Sequence, residues 1–65
     1  MNNQKLKAKR VEHGYIQATI AKKMGVDIRT YRNKEKGYVP FNNKEMIKLK
    51  DILSLSMEDI EEIFF

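Results

Sequence analysis

The sequence has no cysteine and no tryptophan, and it has only one proline and one histidine. A chain without cysteine forms no disulfide and no thiolate metal site, which predicts a protein of the reducing cytoplasm. The one histidine, His13, falls at the end of a predicted helix, and the chain has neither a cysteine nucleophile nor a glycine-rich phosphate loop. We therefore predict that the protein is not an enzyme and that it uses no cofactor.

The acidic residues near the carboxyl end do not predict a metal site. They come without a histidine, and carboxylates in this pattern more commonly form a solvated helix face, with the earliest ones favoured by the helix dipole. The residues concerned are Glu58, Asp59, Glu61 and Glu62.

Long apolar runs are also missing. No stretch approaches the roughly 20 residues of a membrane span, and residues 1–5 are polar where a signal peptide needs an apolar core. We expect one small domain spanning residues 1–65, with a single modest core and no room for a separate catalytic domain. No membrane partner is predicted, and no small-molecule effector is evident.

Positive charge is concentrated in the first part of the chain. Residues 1–40 have a formal charge of +7, whereas residues 41–65 have a charge of −3. An excess of this size is more commonly a solvated surface than a binding site. Charge alone therefore does not predict a nucleic-acid partner.

Periodicity and end signals predict five helices and no strand, so the predicted fold class is all-α. The first three helices are expected at about residues 3–13, 17–24 and 27–36, and a glycine follows each of them. Asp27 is placed to cap the third helix, whereas Ile16 is a poor cap for the second.

Two capping boxes predict where the last two helices begin. Asn42 with Glu45 opens the fourth helix, and Ser56 with Asp59 opens the fifth. The predicted inward-facing residues of the five helices are Leu6, Ala8, Val11, the aliphatic stem of Arg10, Ile20, Ala21, Met24, Tyr31, Met46, Leu49, Ile52, Leu53, Ile60, Ile63 and Phe64.

The second and third helices are joined by a very short turn, Gly25 and Val26 followed by the capping residue Asp27. Two helices joined by so short a glycine-containing turn form a helix-turn-helix, in which the second helix is presented to the DNA major groove. Ala21 allows the two helices to approach closely, and Gly25 supplies the positive φ that the turn requires. Tyr31 is the one large residue that the third helix is expected to bury.

The frame QATIAKKMGVDIRTYRNKEKG resembles the helix-turn-helix of the Cro/C1 (XRE) family of repressors. The matching residues are Gln17, Ala21, Gly25, Val26, Tyr31, Glu35 and Gly37. The resemblance extends from Leu6 to about Ile63, and it implies a five-helix, lambda-repressor-like domain that binds double-stranded operator DNA and regulates transcription, most commonly as a repressor. Residues 41–53 and the ending MEDIEEIFF are similar to small regulators of phages and mobile elements.

Three residues depart from the family pattern. Ile16 replaces a capping Ser or Thr, Lys9 stands at a site that is often apolar, and Lys34 falls where many members bury an aliphatic or aromatic residue. The last departure predicts that the inner face of the third helix depends on Tyr31 alone.

The third helix supplies the predicted base-reading residues. Arg29 or Arg32 could bind guanine, Asn33 could bind adenine, and Ile28 could contact a thymine methyl group or, alternatively, a neighbouring helix. The predicted phosphate-binding residues are Gln17, Lys36, Tyr38, Asn42 and Asn43. For the two asparagines, helix capping is an alternative that is compatible with phosphate binding.

An apolar cluster ends the chain and leaves two interpretations open. The predicted homodimer interface consists of Ile60, Ile63, Phe64 and Phe65. The same residues could instead pack on the first helix and complete the monomer core. They are also the feature that would support the alternative function, a protein-binding module or antirepressor with the same fold.

Overall fold

Five α-helices make up the protein. The computed structural model describes all 65 residues, without any β-strand. The helices are α1 (Asn3–Glu12), α2 (Gln17–Met24), α3 (Ile28–Glu35), α4 (Asn43–Ile52) and α5 (Met57–Phe64). α2 packs against α3 and α4, and α1 packs against α3 and α5. None of the helices combines the length and the apolar composition that crossing a membrane requires.

Local side-chain caps determine where most of the helices begin. The Asp27 side chain accepts a hydrogen bond from the Arg29 amide at 2.8 Å, as predicted. Both predicted capping boxes are present, at the starts of α4 and α5. Ile16 offers no side-chain hydrogen bond to α2, which confirms the poor cap predicted there.

The core is a cluster of ten buried apolar side chains, to which α2 contributes the largest share. Its members are Leu6, Ile20, Ala21, Met24, Tyr31, Phe41, Leu49, Leu53, Leu55 and Ile63. Met46, Ile52, Ile60 and Phe64 are only partly buried and pack against this cluster. Helical periodicity thus indicated the correct face of α2 and α4.

The prediction for α1 was wrong at two positions. Ala8 is exposed, and Val11 is 58% exposed, so Leu6 is the one apolar side chain that α1 buries. The face turned inward is instead occupied by Arg10, which is only 8% exposed. The inner face of α1 therefore buries one apolar side chain, Leu6, and one charged side chain, Arg10, whose guanidinium is buried together with its hydrocarbon stem.

Ion pairs with α5 supplement the sparse apolar contacts of α1. The ammonium group of Lys5 binds Asp59 at 3.3 Å and also pairs with Glu62, and Lys9 lies 3.6 Å from Asp59. The backbone amide of Ser56 and the neighbouring lysines lower the pKa of Asp59 from 3.8 to about 2. Lys9, at a site that the family often fills with an apolar residue, is thus used to join α1 to α5.

Phe41 links α3 to the carboxyl-terminal helix. Its ring lies 6.3 Å from the ring of Tyr31 and meets the ring of Phe64 edge-on at 5.7 Å. Pairs with this geometry are stabilising beyond the area that they bury. Because Phe41 lies in an irregular connection, no periodicity indicated its burial.

The carboxyl-terminal apolar cluster divides between core and surface. Ile63 is fully buried, Ile60 and Phe64 are partly buried, and Phe65 is 85% exposed. Ile63 therefore completes the monomer core and offers no surface to a second copy, which corrects its assignment to a dimer interface. Phe65 is the large apolar side chain that this cluster leaves in solvent.

Candidate nucleic-acid interface

A left-handed residue makes the reversal between α2 and α3. Gly25 has φ +77°, and the amide of Val26 donates to the carbonyl of Ala21 at 3.0 Å. A residue with a Cβ atom resists this φ, so the predicted role of Gly25 in the turn is confirmed. Val26 is partly buried and packs against the core cluster. The turn holds α3 against α2 and leaves the outer side of α3 uncovered.

The uncovered side of α3 contains two arginines. Arg29 and Arg32 are both exposed, and neither forms an ion pair with a carboxylate. Asn33 is partly exposed. Ile28 is also partly buried and packs against the core cluster, so it has less free surface than the two arginines. The cationic groups of this helix are thus available to an anionic partner.

A buried ion pair attaches α3 to α1. The Arg10 Nε donates to Glu35 Oε1 at 3.1 Å, and both side chains are less than a tenth exposed. A further guanidinium nitrogen of Arg10 donates to the carbonyl of Tyr15 at 2.8 Å. We call Arg10–Glu35 the α1–α3 ion pair. Buried charges need this degree of hydrogen bonding, because each partner left alone would be strongly destabilising.

The α1–α3 ion pair is connected through Gln17 to one of the exposed arginines, Arg32. Gln17 Nε2 donates to Glu35 Oε2 at 2.9 Å, and Gln17 Oε1 accepts from Arg32 Nε at 3.3 Å. The amide of Gln17 is thereby oriented by a buried carboxylate on one side and positions a guanidinium on the other. Glu35 appeared in the family frame, but nothing in the local pattern indicated that Arg10 is its partner.

A second buried ion pair attaches α3 to α4. The Lys34 ammonium donates to Glu45 Oε1 at 2.5 Å, and it lies 5.9 Å from the centre of the Phe41 ring. We call Lys34–Glu45 the α3–α4 ion pair. The expectation that Tyr31 alone supports the inner face of α3 is wrong, because Lys34 and Glu35 in the last turn of that helix are also buried, each in an ion pair.

The pKa of Glu45 reflects two opposing effects. Burial would raise it, but the hydrogen bonds from the Lys34 ammonium and the Asn42 backbone amide outweigh burial and keep it below its ordinary value. Tyr31 lies about one helical turn before Lys34 and Glu35, and at this residue burial prevails, because Arg10 offsets only part of its effect on the pKa. Burial raises the pKa of the Tyr31 phenol well above its ordinary value, and the negative charge of Glu35 adds to the shift.

The predicted phosphate-binding residues lie just after α3 and at the starts of α2 and α4. Lys36 and Tyr38 follow the helix and are exposed, with the Lys36 ammonium 5.8 Å from the centre of the Tyr38 ring. Asn42 Oδ1 accepts from the Glu45 amide at 2.8 Å, so this side chain is used as a cap. Asn43 is the exposed first residue of α4, and Gln17 begins α2 close to Arg32.

Comparison with known proteins identifies the family. A family model described as helix-turn-helix matches residues 6–60 of the chain. No curated protein and no solved structure gives a significant match. The matched residues include all of α2, α3 and α4 and the turn at Gly25. The chain therefore belongs to the Cro/C1-type (XRE) helix-turn-helix family, a family of non-enzymatic, DNA-binding domains of transcriptional regulators.

Proposed function

We propose that the protein binds a specific duplex DNA sequence through α3 and represses transcription from that site. The observation that carries the proposal is the pair of uncovered arginines, Arg29 and Arg32, on a helix that the Gly25 turn presents outward. The Gln17 amide supports it further, because it holds Arg32 before any DNA is bound. A side chain that is already oriented loses less conformational entropy on binding. Such a regulator would act on cytoplasmic DNA, and its similarity to phage and mobile-element regulators suggests that origin.

Each proposed reader has a base that suits its chemistry. Arg29 and Arg32 can each donate two hydrogen bonds to guanine O6 and N7, and Asn33 matches adenine N6 and N7. Ile28 would contact a thymine methyl group only with the exposed part of its side chain. Phosphates would be held by Gln17, Lys36, Tyr38, Asn42 and Asn43, which position the protein without reading sequence.

Two matched alanine variants test this assignment. The operator is first selected from a random duplex pool, and binding is then measured on the operator and on unrelated DNA. Arg29→Ala should lose about 1 to 3 kcal/mol on the operator and relax the preference at one base pair, whereas Lys36→Ala should weaken binding to all sequences alike. If both variants bind as the parent does, α3 is not the reader.

Salt dependence separates DNA binding from the alternative, a protein-binding module or antirepressor. Phosphate contacts release counterions, so the affinity for duplex DNA should fall steeply as salt concentration rises. A parent protein that shows no such affinity at low salt would favour the protein-binding alternative.

We further propose that two copies bind one operator around a two-fold axis. One α3 contacts only a few base pairs, which is too little to select one site among about 10⁶ or more competitors in a genome. Two copies would place their recognition helices about 34 Å apart on half-sites one helical turn apart. Phe65 supplies the main apolar surface, with the exposed parts of Ile60 and Phe64 beside it.

Sedimentation tests the two-fold arrangement. The free protein and its complex with the selected operator are compared, with Phe65→Ser as the variant. We expect two chains per duplex for the parent and weaker, less cooperative binding for Phe65→Ser. One chain per duplex at saturation, on a site without two-fold symmetry, would contradict the proposal.

A further inference from the structure

A polar recess of about 370 Å³ lies where α1, the start of α2 and the end of α3 meet. Helix α1 forms one wall, although none of its residues was predicted to contact DNA. The residues that line the recess are Asn3, Gln4, Lys7, Gln17, Glu35, Lys36 and Tyr38.

The recess has unbalanced positive charge. Lys7 and Lys36 are exposed, and neither forms an ion pair. The carboxylate in the lining, Glu35, is already bound by Arg10 at 3.1 Å and by Gln17 at 2.9 Å. Two ammonium groups are therefore available without a counter-charge, and such a surface attracts an anion.

The walls of the recess are fixed to each other. Asn3 Nδ2 donates to the carbonyl of Lys36 at 2.7 Å, which joins the first turn of α1 to the end of α3. At Gly37, a Cβ atom would lie 2.8 Å from that same Asn3 nitrogen, so the approach depends on the absence of a side chain. This contact keeps Lys7 on α1 and Lys36, directly after α3, at the same opening.

The recess also adjoins the candidate reading face. Gln17 lines the recess and accepts a hydrogen bond from Arg32. A group bound in the recess would therefore lie beside the base pairs that Arg32 contacts. In a duplex, the groups beside a base pair in the groove are the backbone phosphates, each with one negative charge and only hydrogen-bond acceptors.

We propose that this recess binds one backbone phosphate of duplex DNA, with Lys7 and Gln4 of α1 as phosphate-binding residues. The inference rests on the proposed DNA binding and extends the contact surface from α2 and α3 to α1. Lys7 supplies a charge and Gln4 supplies amide donors, whereas Asn3 acts indirectly by holding Lys36 in place.

The first test compares two variants that remove one positive charge each. Lys7→Gln alters the recess, and Lys50→Gln alters an exposed lysine near the end of α4 that does not line it. For Lys7→Gln, the slope of log affinity against log salt should become shallower by about 0.9, with a loss of roughly fivefold to tenfold at 0.1 M salt on all sequences. The Lys50→Gln slope should equal that of the parent.

The outcomes separate this inference from the proposed function. A parent that binds DNA with steep salt dependence, together with an unchanged slope for Lys7→Gln, overturns the phosphate site alone. A parent that does not bind duplex DNA overturns both proposals. Circular dichroism of each variant verifies that the helices are retained, and Lys7→Arg should restore the slope because it restores the charge.

The second test locates the phosphate and separates it from free inorganic phosphate. A neutral methylphosphonate is introduced at single positions of the operator backbone. At one position the methylphosphonate should lower the DNA affinity of the parent but not that of Lys7→Gln, because this variant has already lost the contact. Additive losses at every position would overturn the site. Amide chemical shifts distinguish the two ligands in separate titrations with inorganic phosphate and with DNA. If millimolar inorganic phosphate saturates the recess but DNA causes no shifts at Gln4 and Lys7, the proposed site is also overturned.

Discussion

The two buried ion pairs of α3 are alike in burial but differ in what lies beyond them. The α1–α3 ion pair continues through Gln17 to Arg32, and therefore ends at the exposed face of the helix. The α3–α4 ion pair ends at the capping box of α4, where Glu45 also accepts from the Asn42 amide at 2.9 Å. One pair thus supports both the fold and a candidate reading residue, whereas the other joins two helices. Similar burial does not imply a similar role.

The largest effect is expected when the α1–α3 ion pair loses its arginine. Arg10→Met keeps an unbranched apolar stem but leaves the Glu35 carboxylate buried without its cation, with the Gln17 amide as its remaining side-chain donor. Breaking a buried pair in this way destabilises by about 3 to 5 kcal/mol, a large part of the stability of so small a domain. Urea denaturation measures the change, and a loss below about 1 kcal/mol would show that the pair is not important for folding.

A smaller effect is expected when the α3–α4 ion pair loses its lysine. In Lys34→Met the carboxylate of Glu45 retains the Asn42 amide, and the methionine can pack on the Phe41 ring. We expect a loss of about 1.5 to 3 kcal/mol, the range for a hydrogen bond to a charged group.

Adding Glu45→Gln to Lys34→Met should recover part of that stability, because it removes the unpaired charge. The double variant should also bind DNA as the parent does. Loss of specific binding in the double variant would contradict the distinction between the two pairs.

The smallest effect concerns pH. The folded-state pKa of Glu45 lies below its ordinary value of 4.5, and that of Asp59 is lowered from 3.8 to about 2. Each carboxylate therefore contributes stability above its ordinary pKa and loses it as the pH falls through the folded value. The free energy of unfolding should decline below about pH 4.5 and continue to decline toward pH 2.

Two variants show how much each carboxylate contributes to the loss of stability at low pH. Lys34→Met should reduce the decline that begins near pH 4.5, and Asp59→Asn should reduce the decline between pH 3.8 and about 2. Urea denaturation across this range provides the measurement. Parallel curves for the parent and both variants would show that neither carboxylate is responsible.

The sequence predicted the features that depend on neighbouring residues. The capping boxes at Asn42 and Ser56 span four residues each, and the Gly25 turn is equally local. The features it did not predict depend on distant partners. Arg10 and Glu35 are 25 residues apart, so helical periodicity in α1 could indicate burial of the aliphatic stem of Arg10 but not burial of its guanidinium in an ion pair.

In the candidate site, too, the features that depend on neighbouring residues were predicted and those that depend on distant contacts were not. Exposure of Arg29 and Arg32 follows from the position of α3 in the motif, and the structure leaves both uncovered. The proposed role of Lys7 was not predicted from the sequence, because it depends on the contact between α1 and the end of α3. That contact joins Asn3 to Lys36, which are 33 residues apart.

The first and last helical turns are also in direct contact. The amide of Asn2 donates to the carbonyl of Ile63 at 2.7 Å, so the residue before α1 is hydrogen-bonded to the last turn of α5. Forming this contact requires nearly the whole chain to be looped, at an entropic cost that the short α2–α3–α4 connections do not have. Joining these ends with a short linker and opening the chain elsewhere would convert the longest-range contact of the fold into a local one. The fold is therefore suited to circular permutation, with an opening in the exposed turn at Gly14.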